Sequence, residues 1–278
     1  KTTFFLNTAA LDNVKFRLRY PFIKSMYQDI ENHGHEIGTH THNNVNLLMI
    51  PTNQIELELL ESAEAIKRHF GFRPSTMSHP TSHYNEYVDS LTSLHYLDSR
   101  YSIAKDKDST IRFMQVRKAY DFKTYKRDLD AFIVSDASRY VYGGHQLDED
   151  GYEPMSSGTL DSLLLYLSTT HKESCWVTTF ENMTLYEILR DSLQIESKPG
   201  CVIVRTENIS PLLEKYTHAD AIITFCFEGI LLDFYSESLS SVRYKNGNSY
   251  VSINLRETDR LYYSTQSKPI SLPVMRNE

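Results

Sequence analysis

The chain runs to 278 residues, of which 40% are apolar and 12% aromatic, with 10 glycines, 9 prolines and a formal net charge of −7. This composition excludes disordered, collagen-like and low-complexity classes, and mild acidity without any Lys/Arg run speaks against a nucleic-acid partner. No stretch approaches the roughly 18 uninterrupted apolar residues of a spanning helix, and the length suits one large domain or one domain with a small appendage.

The opening segment Thr2–Leu6 is β-branched and aromatic, which predicts a buried strand. The chain enters it directly from Lys1 without a methionine, and we expect a processed or trimmed product. Phe22–His33 then reads as a helix, with Gly34 where helices commonly stop. A short strand follows at His35–His40. Beyond Thr52 the apolar residues Ile55, Leu59, Ala63, Ile66 and Phe70 recur at three- and four-residue steps, predicting a helix that ends at Gly71. A Pro-containing strand and loop cover Pro74–Ser82, and Asn85–Leu94 reads as helical. Ala131–Ser135 and Tyr140–Gly144 are strand-like. Thr159–Thr170 places Leu160, Leu163, Leu164 and Leu167 on one helix face, Cys175–Thr179 reads as a strand, and Thr184–Leu193 as a helix. Such alternation predicts an α/β fold of parallel strands carrying outer helices.

The pattern changes at Lys198-Pro199-Gly200. Strand-like runs follow at Cys201–Thr206, Ala221–Phe227, Ile230–Tyr235, Ser241–Tyr244 and Ser249–Leu255, and Asn246-Gly247 fits a tight hairpin turn. We therefore expect residues 1–197 to form an α/β domain and 198–278 a β-rich C-terminal module. Cys175, Cys201 and Cys226 have no short spacing, which excludes a CxxC zinc site and a disulfide framework. One bridge is compatible with them, and the sequence leaves the pair open. Asn182-Met183-Thr184 and Asn208-Ile209-Ser210 fit the glycosylation sequon.

The densest chemical signal is His33, His35, His40 and His42, four of eleven histidines within ten residues. Neutral imidazole is the commonest protein ligand for transition metals, and a loop after a strand can turn several toward one ion. The bland alternative is a polar loop whose histidines face different ways. Elsewhere, His145, Asp148 and Asp150 share one loop, which reads more simply as a solvated acidic turn. Asp128, Asp130 and Asp136 are further candidate acids, His79 and His83 flank Pro80, and no serine sits in a GxSxG-like elbow. Trp176 and the Leu160–Leu167 face read as core. Tyr84, Tyr87, Tyr96, Tyr101, Tyr140 and Tyr142 offer aromatic faces of the sort that line carbohydrate sites.

The run Gly34-His35-Glu36-Ile37-Gly38-Thr39-His40-Thr41, preceded by Thr2-Thr3-Phe4-Phe5-Leu6, resembles the polysaccharide deacetylase (NodB-homology) family, carbohydrate esterase family four. The resemblance extends more loosely to about residue 195, through Met77-Ser78-His79-Pro80, Tyr142-Gly143-Gly144-His145 and Trp176–Tyr186. It implies a distorted (β/α) barrel. It also implies a divalent metal, usually zinc, held by one Asp and two His, with a second Asp as base and a late His as acid. The substrate it implies is a polysaccharide or acetylated amino sugar, and the setting is secreted or at the cell envelope. Carried over residue by residue, the metal histidines fall on His40 and Asn44, the late acid on His145, and substrate contacts on His79, Pro80 and Tyr142.

The sequence departs from that pattern. The Asp-Asp strand ahead of Thr2–Leu6 is absent, so the barrel is expected to lack its first strand. Asn44 replaces a histidine with a neutral amide, and Ser78 stands near where the family's Arg would be. The expectation is a metal-dependent deacetylase-like protein, impaired unless upstream carboxylates exist. The alternative is a non-catalytic glycan-binding or scaffold protein on the same fold, and a third reading is an unrelated hydrolase using the His33/His35/His40/His42 cluster.

Overall fold

The structure is a computed structural model that describes residues 1–19, 21–100, 111–115, 120–148, 152–215, 221–228 and 233–264. Its first part alternates strands and helices: β1 (Thr3–Leu6), α1 (Ala9–Asp12), α2 (Val14–Arg19), α3 (Ile23–Asn32), β2 (Glu36–Thr39), α4 (Thr52–Phe70), β3 (Thr76–Ser78), α5 (Glu86–His95) and β4 (Asp98–Arg100). The strands form one sheet in the order β1-β2-β3-β4, each pair parallel. Parallel neighbours need a crossover, and the helices between these strands supply it.

The helix α4 forms because its apolar residues recur on one face while charged residues fill the other. Ile55, Leu59, Ala63 and Ile66 are buried on it, and each large side chain there contributes about 1.5–3 kcal/mol of burial. Leu59 and Ala63 pack with Met77 of β3, Val88 of α5 and Tyr96. One turn along, Ile66 packs with Leu6, Leu11 and Ile37. One helix thus seals the face of the sheet across β1, β2 and β3.

A second parallel pair joins β5 (Ile111–Gln115) to β6 (Arg139–Gly143), with α6 (Phe122–Ile133) between them. The segment Ala131–Ser135, predicted as a strand, is instead the end of α6 and the turn that follows. The Asp121 side chain accepts from Thr124 N and starts that helix, so the apolar run at its end had already been committed to the helical period. Two helices follow, α7 (Ser157–Thr170) and α8 (Phe180–Ser192). Cys175–Thr179, also predicted as a strand, pairs with no strand among the described residues. The result is a mixed α/β fold with parallel sheets, and the described strands do not close a barrel.

The C-terminal part is β-rich, as predicted: β7 (Gln194–Lys198), β8 (Cys201–Arg205), α9 (Ser210–Lys215), β9 (Ile222–Glu228), β10 (Asp233–Tyr235), β11 (Leu239–Lys245), β12 (Asn248–Asn254) and β13 (Arg260–Ser264). The strands form two antiparallel sheets, β10-β13-β8-β7 and β11-β12-β9. Of the predicted run Ile230–Tyr235, positions 230–232 lie outside the described residues. The turn at Asn246-Gly247 takes φ of 52° and 79°, the two left-handed residues of a tight hairpin. Val202, Val204 and Leu261 of one sheet meet Ile223, Phe225, Val251 and Ile253 of the other, and Leu185 and Leu189 of α8 join the same core. That shared core ties the β-rich part to the α/β part. All three cysteines are free.

Candidate functional site

In parallel sheets, side chains that do chemistry gather beyond the carboxyl ends of the strands. His40 follows β2 and Ser78 ends β3, and both line a cavity of about 1220 Å³. The cavity wall also includes His79, Arg100, Tyr142 and His145. Four residues singled out in the sequence therefore share one cleft, although they come from positions 40, 79, 142 and 145.

The His40 backbone N–H donates to the Leu6 carbonyl at 2.8 Å, continuing the β1–β2 ladder. Its ring Nδ1 stands 2.7 Å from the Ser78 carbonyl. A carbonyl only accepts, so Nδ1 carries the proton and Nε2 keeps its lone pair. Burial lowers the His40 pKa to about 4; the Ser78 bond opposes this, while the Arg100 and His145 charges add to it. The ring is neutral at physiological pH, the form that binds a metal or accepts a proton.

Arg100, which the sequence reading missed, stands opposite Ser78 in the β3–β4 register. Its Nε and Nη2 donate to Ser78 Oγ at 3.0 and 2.6 Å, and its guanidinium lies 5.9 Å from the Phe5 ring centroid. Burial lowers its pKa to about 10, which leaves it cationic. The sequence has Ser78 near where the resemblance implies an arginine, and β4 delivers Arg100 to that spot from the next strand. Only a register prediction for two three-residue strands would have found it.

His145 lies just beyond β6, with its ring 4.8 Å from that of Tyr152 in a T-shaped contact. Burial is the main cause that lowers its pKa, Arg100 lowers it further, and Glu153 opposes them. Tyr142 donates to the Tyr125 carbonyl at 3.3 Å and sits 4.6 Å from the Tyr140 ring. Burial pushes both phenols up, so both are neutral donors at ordinary pH. His79 is buried at 1% exposure, with its ring 6.0 Å from Tyr84.

Two expected site residues stand elsewhere. Pro80 is buried in the 3₁₀ turn Pro80–Ser82 and does not line the cavity. Asn44 is exposed and also lies outside the cavity wall. The segment 41–46 is not helical, and Thr41 and Asn44 both take positive φ, so the four-residue spacing does not stack positions 40 and 44 on a helix face.

The histidine cluster disperses. His33 caps α3 with its ring on the Asp29 carbonyl at 2.7 Å, and His42 bonds Thr8 Oγ1 at 3.0 Å. His35 precedes β2 while His40 follows it, a separation of about 16 Å along an extended strand. These four rings do not converge on one ion. Three of the mid-chain acids are used internally: Asp128 receives the Tyr140 hydroxyl, Asp130 binds Lys126 and Tyr166, and Asp148 accepts from Ser157 N, whereas Asp136 lines the cleft. Asp150 and Tyr101 lie outside the described residues. Trp176, expected in the core, is 53% exposed.

Around Gly34–Thr41 each element of the run has a structural reason. Gly34 takes φ +74° to leave α3, a conformation that costs a side chain free energy. Gly38 lets β1 and β3 approach, since a Cβ there would lie 2.7 Å from the Phe5 ring and 2.9 Å from the Thr76 carbonyl. Glu36, fully buried, accepts from Thr3 Oγ1 at 2.6 Å, from Thr76 Oγ1, and from Glu181 N at 2.9 Å. That carboxyl holds β1, β2, β3 and the start of α8 together.

Residues 1–98 match the polysaccharide deacetylase family model. No curated protein matches the chain. Among solved structures, a peptidoglycan N-acetylglucosamine deacetylase is similar over 66% of this chain and 86% of its own, at 17% identity and TM-score 0.44. A carbohydrate-esterase-family-four domain of a multidomain xylanase, from the hindgut metagenome of Trinervitermes trinervoides, is 13% identical over 69% of this chain and 90% of its own, with TM-score 0.43. A pseudoenzyme of the same esterase family from Bacillus anthracis is 13% identical over 66% of this chain and 54% of its own, with TM-score 0.40.

A metal site of the deacetylase kind needs several anionic or imidazole ligands around one point. Among the described residues, no group of three or more His, Cys, Asp or Glu could hold an ion. Within the cleft, His40 has one ring nitrogen anchored on the Ser78 carbonyl and the other unprotonated, the geometry of a ligand. The described residues around His40 therefore do not fit a resident zinc.

Proposed function

We propose that this chain is a polysaccharide deacetylase-like protein whose cleft beside His40 and His145 takes an acetylated amino-sugar polysaccharide, and whose hydrolytic set is impaired. The reading is supported by the family match over residues 1–98 and by the cleft that collects His40, His79, Tyr142 and His145. Tyr140 and Tyr142 offer aromatic faces there for the apolar faces of sugar rings. His145 is the group we assign to proton transfer with the leaving amine, and we read His40 as the one imidazole kept of the family's metal pair, its expected partner Asn44 lying outside the cavity wall. The substrate class points to a secreted or cell-envelope setting, and among the described residues no helix is long and apolar enough to cross a membrane. We assign the chemistry to residues 1–197 and read 198–278 as an accessory module.

The observation that carries the impaired reading is the lack of partner ligands for His40 among the described residues. Zinc titration by calorimetry, paired with an acetate-release assay on hexa-N-acetylchitohexaose, tests it. The expected result is no stoichiometric zinc uptake and no EDTA-sensitive acetate. Tight one-to-one uptake with EDTA-sensitive turnover overturns it and points to carboxylates from outside the described residues. The alternative reading, a glycan-binding or scaffold protein without hydrolysis, rests on the same cleft. Chitohexaose binding that survives EDTA and His40→Ala favours it.

A further inference from the structure

A second cavity, of about 750 Å³, opens at the opposite end of the parallel sheet from His40. His35 and Ser75, which precede β2 and β3, form its floor, and the hydroxyl face of the β11-β12-β9 sheet forms one wall. Its size lies within the range of small-molecule sites, about 300–1,000 Å³. Nothing in the deacetylase-like cleft uses it.

Three features of its wall converge on one ligand chemistry. Thr224, Ser252 and Ser241 stand side by side in the register of β9, β12 and β11, a row of hydroxyls across three strands. Thr224 Oγ1 and Ser252 Oγ are 2.8 Å apart, so one of the two hydrogens bonds within the pair and the other remains for a ligand. Trp176, 53% exposed, borders the cavity with its ring 5.4 Å from Tyr186 in a T-shaped pair that holds it in place. The segment carrying it is tied to β11 through Lys245 Nζ on the Glu173 carbonyl at 2.9 Å.

The floor holds two buried polar atoms. Ser75 is 3% exposed, and its Oγ has no hydrogen-bond partner among the described residues. The buried Nδ1 of His35 likewise has none. Both atoms lie beneath the surface of the floor, so a polar guest reaches them only if the covering side chains shift, and the wall of hydroxyls and Trp176 carries the recognition. Charges of both signs surround it, with Glu31 and Glu173 against Lys172 and Arg73, so the cavity selects no strongly ionic guest.

We propose that this cavity is a sugar-binding subsite for a neutral glycan. The Trp176 ring packs on the apolar face of a sugar residue, while the Thr224–Ser252–Ser241 row exchanges hydrogen bonds with its hydroxyls. The site goes beyond the acetyl-removing reading, because it needs neither a metal nor His40. It would hold a polysaccharide to the β-rich module whether or not the cleft turns it over.

Trp176 is the chain's single tryptophan, so tryptophan emission reports its surroundings, and the variants below separate this wall from the larger cleft that it also borders. Hexa-N-acetylchitohexaose, cellohexaose and xylohexaose are titrated against the full chain, the Thr224→Val/Ser252→Ala variant and the His40→Ala/His145→Ala variant, with folding checked by circular dichroism. The expected result is a saturable emission change with at least one sugar. Affinity should fall tenfold or more in the hydroxyl variant and stay within twofold in the histidine variant. Tenfold corresponds to about 1.4 kcal/mol, the scale of one or two lost hydrogen bonds. No saturable response to any of the three sugars overturns the proposal. So does a response that survives the hydroxyl variant, or one abolished by the histidine variant, since Trp176 also borders the larger cleft. Should the double hydroxyl variant fail to fold, Ser241→Ala alone takes its place, with a loss of about threefold expected from a single hydrogen bond.

Discussion

His40 Nδ1 and the Ser78 carbonyl oxygen are 2.7 Å apart, joining the loop after β2 to the end of β3. The bond fixes the tautomer, and burial lowers the His40 pKa to about 4 from an ordinary value of 6.5. A histidine whose folded pKa is depressed favours the neutral folded form. Its contribution is present above pH 6.5 and is lost as pH falls toward 4. The expected loss is about 3 kcal/mol across that window. Urea unfolding at pH 7 and pH 4.5, compared with His40→Gln, measures it. Equal pH slopes in the two proteins would refute the assignment, as would a nitrogen-15 spectrum showing His40 charged at pH 6.

Arg100 acts on both cleft histidines through its charge, which lowers each pKa alongside burial. Arg100→Gln removes the charge and keeps a donor for Ser78 Oγ. Both histidines should then titrate at higher pH, His145 most visibly because it is the more accessible. Histidine nitrogen-15 titrations of the two proteins provide the check. An unchanged His145 curve would show that Arg100 is too screened to matter.

The strands and helices bearing clear periodicity were legible in the sequence, α4 most of all, because burial on one face imposes the 3.6 period directly. The strand read at Ala131–Ser135 fails for a local reason: four consecutive apolar residues suit a helix end as well as a strand, and the cap at Asp121 decides between them. In the sequence Trp176 reads as core because a large aromatic usually is, yet it follows a turn and borders two cavities. In the cleft, His40 and His145 were legible from the motifs they stand in. Arg100 was not, since its placement beside Ser78 depends on the register of β3 and β4. Nor was the dispersal of the histidine cluster, which follows from β2 separating His35 from His40.

Glu36 has its carboxyl raised by burial, against the hydrogen bonds from Thr3, Thr76 and the start of α8. A carboxyl with a raised folded pKa favours the protonated folded form, so its contribution falls as pH rises above 4.5. Relative to Glu36→Gln, the wild-type chain should therefore lose stability between pH 4.5 and pH 7. Glu36→Ala strands the buried hydroxyls and the Glu181 N–H without an acceptor, and about 3 kcal/mol or more should be lost at either pH. Denaturant midpoints for the three proteins decide the matter. A Glu36→Ala variant as stable as wild type would remove Glu36 from the role of clamp.

Arg139 opens β6 and reaches across to two other elements, with Nη1 3.0 Å from Asp98 of β4 and its Nε 2.7 Å from Glu187 of α8. Thr184 of α8 donates to the same Asp98 oxygen at 2.7 Å. The Arg139 side chain is 9% exposed, so burial works to lower its pKa, and the Glu187 and Asp98 carboxylates outweigh that and raise it. Removing the cation leaves two half-buried carboxylates facing each other without compensation. Arg139→Met should cost about 3–5 kcal/mol for that reason. Removing Glu187 as well relieves part of the repulsion, so Arg139→Met/Glu187→Leu should be more stable than Arg139→Met alone. Urea unfolding of the wild type, both single variants and the double variant yields the coupling energy. Strict additivity across that cycle would show that the two groups do not interact, and that β6 is held against α8 by packing alone.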